Sequence, residues 1–217
     1  MISDNVRELL AELPSGVELV VAAKGRTNSE VLSAITAGVG IIGENYLQEA
    51  KEHRAAIGPR VSWHFIGALQ QNKVKQAVSL CDMIETVDSL ALAQAISRHA
   101  GNIGKIMPVL IEINSGHEPQ KSGVIPENAE ELARQIGQLP HIKLKGLMTM
   151  GPRTGDPEDA RPYFAATHHL FEHLQHTAIP QVTMELLSMG MTNSYKVALQ
   201  EGANIVRLGS RIFEGNG

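Results

Sequence analysis

Val17-Glu18-Leu19-Val20-Val21-Ala22-Ala23-Lys24-Gly25-Arg26-Thr27 is the stretch that separates two architectures. Its apolar run reads as a strand over Val17 to Ala23, and the turn behind it discriminates between an open doubly wound sheet and a closed barrel. A dinucleotide-binding sheet places a G-x-G-x-x-G turn here, where glycines let the backbone approach a pyrophosphate. Lys24-Gly25-Arg26-Thr27 offers one glycine, so the barrel is preferred.

Outward from this strand, short apolar runs alternate with longer amphipathic stretches, the pattern of repeated strand-helix units around a parallel sheet. Further strands are expected over Val39 to Ile42, Val61 to Ile66, Met83 to Thr86, Ile106 to Ile113, Leu144 to Met148, Thr183 to Ser188 and Ile205 to Leu208. Helices are expected over Ser29 to Ala37, Tyr46 to Ile57, Ser89 to Ala100 and Pro126 to Ile136. Gly38, Gly58, Gly101 and Gly137 follow them as left-handed C-terminal caps. An extra amino-terminal helix, Ser3 to Leu13, has Ser3 as its cap and Leu9, Leu10 and Leu13 on its apolar face. The fold class is therefore α/β, a (β/α)8 barrel of the TIM type over residues 1–217 as a single domain.

Composition agrees. With 43% hydrophobic and 19% charged residues the chain can bury a core and lacks a disordered composition. A formal charge of -4 disfavours nucleic acid and anionic membrane as partners. Cys81 is the single cysteine, which excludes an internal disulfide and fits a reducing, cytoplasmic setting. The amino-terminal residues carry Asp4, Arg7, Glu8 and Glu12, unlike a secretory or transit segment.

In such a barrel the chemistry gathers at the carboxyl ends of the strands, and polar residues collect there. Lys24 follows four apolar residues, so its amine is expected at the rim of a dry pocket, where desolvation favours the neutral, nucleophilic form. Snorkelling to water or pairing with Glu44 are the competing readings. Ser188-Met189-Gly190 and Gly209-Ser210, after the seventh and eighth strands, suit a phosphate: glycine admits close approach, and amides and hydroxyls donate. Arg211, Ile212 and Phe213 extend the second of these into a short helix. Arg207 interrupts an apolar strand and needs a ligand acceptor or a carboxylate such as Glu112 or Glu185. An imine-forming lysine, a phosphate cradle and an arginine together accommodate a phosphorylated aldehyde, with pyridoxal 5'-phosphate (PLP) the first candidate.

These blocks resemble the pyridoxal phosphate homeostasis protein family, relatives of the alanine racemase amino-terminal barrel and of fold-type III PLP binding. The resemblance rests on Val20 to Lys24, Gly43-Glu44-Asn45-Tyr46, Trp63 to Gly67 with Leu69-Gln70 and Asn72-Lys73, Gly146-Leu147-Met148, Leu187 to Met191 and Val206 to Gly209. It implies that Lys24 holds the cofactor as a Schiff base, that Ser188, Gly209 and Ser210 contact its phosphate, that Arg207 faces the pyridine nitrogen and that Asn45 lies beside the ring. An arginine there weakens the ring as an electron sink, which suits a carrier. Ala23, Thr192-Asn193 and Ser210 depart from the family's usual serine, Ser-Asp and threonine. The chain ends at Gly217 without the second β-domain that racemases use to present a tyrosine, and Tyr46, Tyr163 and Tyr195 are not assignable to that role.

The expectation is a cytoplasmic, monomeric PLP-binding protein that buffers or delivers the cofactor, supports vitamin B6 and amino-acid homeostasis, and makes transient contacts with PLP-dependent apo-enzymes. No substrate turnover and no metal are expected. A small PLP-dependent racemase or decarboxylase, and a Schiff-base aldolase without cofactor, are the alternatives. His169, His173 and His176 share a helix face but read as solvated, Lys73, Lys75 and Lys121 as surface charges, His64 as a core histidine, and Met184, Met189 and Met191 as fillers of irregular space.

Overall fold

In the computed structural model, which describes residues 1–152 and 155–214, eight strands close into a parallel barrel in sequence order. They are β1 (Glu18–Ala22), β2 (Ile41–Glu44), β3 (Ser62–Phe65), β4 (Met83–Val87), β5 (Met107–Ile113), β6 (Ile142–Thr149), β7 (Val182–Ser188) and β8 (Ile205–Leu208). Around them run α1 (Ile2–Glu12), α2 (Asn28–Thr36), α3 (Leu47–Ile57), α4 (Val74–Leu80), α5 (Leu90–Gly101), α6 (Pro126–Ile136), α7 (Arg161–Thr177), α8 (Tyr195–Gln200) and α9 (Ser210–Phe213). The domain boundary expected at Gly217 lies outside the described residues.

Strand alternation sorts the side chains into two layers. In β1, Val20 points inward with Ile66 and Ile205, while Leu19 and Val21, with Ala23 just beyond the strand, face the surrounding helices with Val6, Leu9 and Trp63. Across the barrel, Met83, Leu110 and Met148 make the matching inner patch. Paired residues of a parallel ladder share a face, so the register of Val20 with Arg207, Gly43 with His64, and Glu112 with Met148 aims Arg207, His64 and Glu112 inward. A polar set thus sits inside an otherwise apolar cylinder.

The helices refine the expected boundaries. α1 begins at Ile2 rather than behind a Ser3 cap, and the Met1 amine donates to Asp4 at 2.6 Å. Val6 and Leu9 are its buried residues, whereas Leu10 is 38% exposed. Gly38 and Gly58 take positive φ, as a left-handed cap requires. Gly101 and Gly137 do not: the first is inside α5, and the second has a right-handed φ of -60°. Glu185 faces outward and pairs with Lys145, not with Arg207. Among the described residues, no helix is long and apolar enough to cross a membrane.

Candidate functional site

Lys24 stands on a tight turn two residues beyond β1. The Arg26 amide donates to the Ala23 carbonyl at 3.0 Å, and Gly25 at φ +68° occupies the third position, the geometry that type II turns demand of glycine. Lys24 continues the inward parity of Val20 and Ala22. Its side chain is exposed, not held at a dry rim as the sequence suggests, and its Nζ lies 5.4 Å from the centre of the Tyr46 ring. Among the described residues it makes no ion pair with a carboxylate.

Glu44, the partner considered for Lys24, is engaged elsewhere. Its Oε1 lies 2.7 Å from His53 Nδ1, and His53 Nε2 donates to the Arg26 carbonyl at 2.9 Å. Burial pushes the Glu44 carboxyl up, while the hydrogen bond to Glu44 pushes the His53 imidazole up, so both shifts keep a proton on the pair. The turn carrying Lys24 is thereby pinned to α3. Gly25 N donates to Glu49 at 3.1 Å, and Arg26 pairs with Glu30 and Glu214 while stacking over Phe213, which fixes it further.

Inside the barrel, Arg207 donates from Nη1 to Ser188 Oγ at 2.7 Å and from Nη2 to the Thr149 carbonyl at 2.9 Å. Ser188 Oγ in turn donates to Glu85 Oε2, and His64 Nδ1 meets Glu85 Oε1, each at 2.7 Å. Burial pushes the Glu85 carboxyl up, but His64, Arg207 and Ser188 together outweigh it and hold it below its ordinary value. His64 is buried, with its Nδ1 held by Glu85. The Ser188 hydroxyl, expected on a phosphate, lies inside this network, bridging the buried Arg207 guanidinium and the buried Glu85 carboxylate.

The β7–β8 rim keeps other donors. Gly190 has φ +88°, and a Cβ there would lie 2.6 Å from the Ala198 side chain, so only glycine turns the chain here. Ser210 Oγ donates to Thr192 Oγ1 at 3.1 Å, and α9 starts at Ser210, the short helix expected. The Gly209 and Ser210 amides donate to no acceptor among the described residues. Gly209 packs against the end of β1, where a Cβ would come within 3.2 Å of the Ala22 carbonyl.

A cavity of about 720 Å³ opens at this end of the barrel, lined by Lys24, Asn45, Tyr46, Thr86, Glu112 and Asn114 among others. Gly67, two residues beyond β3, is part of its lining: a Cβ there would meet the Asn45 carbonyl at 2.3 Å, so the chain passes the Asn45 backbone this closely only because the side chain is absent. The structure therefore brings Lys24 and Asn45 to one cavity. Ser188, Arg207, Gly209 and Ser210 are not in its lining. Gly209 and Ser210 form the adjoining rim beside β1, and Arg207 reaches Thr149, which precedes the lining residues Met150 and Gly151.

Several residues of the site were not legible as such. Glu112 is 8% exposed and lines the cavity, and its carboxyl accepts no hydrogen bond among the described residues, although its backbone carbonyl accepts from the Val124 amide at 2.9 Å; burial pushes the carboxyl up to about 7, with Arg207 opposing. Glu85, an acid inside the run Met83–Val87, was the signal for the inner network. Lys73 and Lys121, taken as surface charges, line the cavity; Lys121 also pairs with Glu118 at 2.6 Å. His173 binds Glu130 at 2.8 Å and His176 the Glu172 carbonyl at 2.7 Å, so the histidine face is used on separate partners.

The donor set fits a phosphorylated aldehyde: a primary amine without a carboxylate partner, two undonated amides beside paired hydroxyls, and a buried cation between strands. Comparison with known proteins gives that chemistry a context. The family described as alanine racemase, N-terminal domain, matches residues 1–216. A pyridoxal phosphate homeostasis protein of Aquifex aeolicus is 42% identical over 177 residues, 81% of this chain and 77% of that protein. The one from Pasteurella multocida is 37% identical over 202 residues, 92% and 86% of the two chains. The structure of PipY from Synechococcus elongatus with PLP bound has a TM-score of 0.90 at 31% identity, covering 98% of this chain and 100% of that one. An alanine racemase of Clostridium difficile, at 19% identity and a TM-score of 0.78, shares the fold over 54% of its length.

Proposed function

The chain belongs to the pyridoxal phosphate homeostasis protein family, and on that premise we propose that it holds PLP through Lys24 and carries or buffers it without turning over a substrate. The observation that carries this reading is Lys24, an exposed amine on a pinned turn, aimed into a cavity of about 720 Å³ and without a carboxylate partner among the described residues. When bound, PLP supplies an aldehyde that a primary amine captures with loss of water.

The chain's own residues do the rest. The Ala23–Arg26 turn and the Glu44–His53 pair hold the amine's backbone in place. The Gly209 and Ser210 amides and the Ser210 and Thr192 hydroxyls offer donors to a phosphate. Arg207 stays charged and committed to Ser188 and Thr149; a buried guanidinium disfavours protonation of a basic nitrogen brought toward it, which restrains carbanion chemistry. Asn45 lines the cavity within reach of a ring. Delivery to apo-enzymes through transient contacts, in the cytoplasm, completes the proposal.

Wild-type protein incubated with PLP is expected to gain visible absorbance that Lys24→Ala abolishes. Retention of that absorbance in the variant contradicts the assignment. Exchange of solvent deuterium into the α-position of an amino acid, dependent on Lys24, would point to a racemase-like activity instead.

A further inference from the structure

Glu112 has no explained role in holding PLP, and its setting is unusual for a carboxyl. It ends the inward row of β5, is 8% exposed and lines the same cavity as Lys24. No N–H or O–H of the described residues donates to its carboxyl; the Val124 amide reaches only the Glu112 backbone carbonyl. The charged groups around it are few. Arg207 approaches from β8, but the hydrogen bonds its terminal nitrogens make go to Ser188 and Thr149 and not to Glu112. Glu85 on β4 is spent on His64 and Ser188, and Asp88 behind β4 opposes ionisation of Glu112. β6 contributes Met148 opposite it; the lysines of that strand, Lys143 and Lys145, lie toward its other end, and Lys145 pairs with Glu185. Lys24, Lys73 and Lys121 line the cavity without forming an ion pair with it.

A buried carboxyl that the chain leaves unpartnered is stabilised by whatever enters the cavity and donates to it. An ionised carboxylate is acceptor-only, so its natural complement is an N–H donor bearing positive charge. The cavity, about 720 Å³, lies well inside the range of sites that enclose a whole ligand, which leaves room beside a molecule held at Lys24.

We propose that Glu112 receives a primary ammonium in this cavity and takes its proton, so that the incoming amine lifts the aldehyde carbon off Lys24. This rests on the reading that Lys24 holds PLP. The balance is closed. The ammonium gives one proton to the Glu112 carboxylate, its nitrogen bonds to the carbon held by Lys24, and the bond from that carbon to Lys24 Nζ breaks. Lys24 leaves as an ammonium, collecting the two remaining amine protons and the one stored on Glu112. No water, oxidant or reductant is consumed. The carrier thereby releases its cargo to a primary amine and not to a tertiary one.

The test follows borohydride-trappable label on Lys24 while the PLP-loaded protein is incubated with ethylamine or trimethylamine across pH. Ethylamine is expected to strip wild-type protein with a rate that inflects near the Glu112 value of about 7. Glu112→Gln is expected to slow this by at least about tenfold and to remove the inflection, and trimethylamine to strip neither protein. Equal rates and profiles in the two proteins overturn the proposal. A second readout needs no ligand: the infrared carboxyl band lost in Glu112→Gln must titrate near neutrality in ligand-free wild type, and a band ionised throughout overturns the proposal too. Absence of any Lys24 label before amine is added overturns the PLP reading itself, and this inference with it.

Discussion

Glu85 and Glu112 are inward carboxyls on neighbouring strands whose surroundings drive them in opposite directions. Glu85 has two hydrogen-bond partners and a guanidinium beyond one of them, which lower it against its burial; Glu112 has burial and no donor. The consequences for stability carry opposite signs. Glu85 stabilises the fold above its ordinary value, and that contribution fades as pH falls through its lowered one. Glu112, raised from 4.5 to about 7, favours the fold at acid pH and costs stability as pH rises through 7. The displacement corresponds to something on the order of 3 kcal/mol. Glu112→Gln is therefore expected to gain stability relative to wild type at pH 8 and to gain little at pH 5, measured by urea denaturation. An equal change at both pH values contradicts this. Arg207→Leu removes the cation that Ser188 links to Glu85, and leaving a buried carboxylate without its compensating charge costs up to roughly 3–5 kcal/mol. A variant as stable as wild type would remove Arg207 from the network described.

At the scale of elements, the turn after β1 depends on α3. His53 lies on α3 and reaches both Glu44, at the end of β2, and the Arg26 carbonyl. His53→Ala is expected to cost about 1–3 kcal/mol, since Glu44 is left buried without a donor. It should also speed hydrogen exchange of the Arg26 amide, which closes the turn on Ala23. Unaltered exchange at Arg26 would show that the turn stands without α3. The eight strands were legible in the sequence because each is an apolar run bounded by turn residues, and a barrel buries both faces of its strands. Helix ends were less so. Gly101 and Gly137 look like caps, yet a Cβ at the first would lie 2.4 Å from His141 and at the second 2.6 Å from the Pro180 carbonyl. They are glycine for close packing, and the neighbours that require it are distant in sequence.

For the whole molecule, the closed barrel is what converts scattered residues into a site. Lys24, Asn45 and Glu112 come from three different strand ends and meet only because β1, β2 and β5 open onto one mouth. Lys24 was readable from its place after an apolar run, and Asn45 from the resemblance carried by Gly43-Glu44-Asn45-Tyr46. Two other assignments were not. The Ser188 hydroxyl belongs to Glu85, 103 residues earlier, and no local pattern announces that bond. Lys73 and Lys121 read as surface charges because the cavity wall they share is assembled from loops that follow β3 and β5. The mouth thus presents three lysines to an aldehyde, of which Lys24 stands on the pinned turn after β1. Peptide mass spectrometry after incubation with PLP and borohydride reduction is the direct test. The account predicts the reduced adduct on the peptide containing Lys24 and its loss in Lys24→Ala; an adduct confined to Lys73 or Lys121, or none at all, contradicts it.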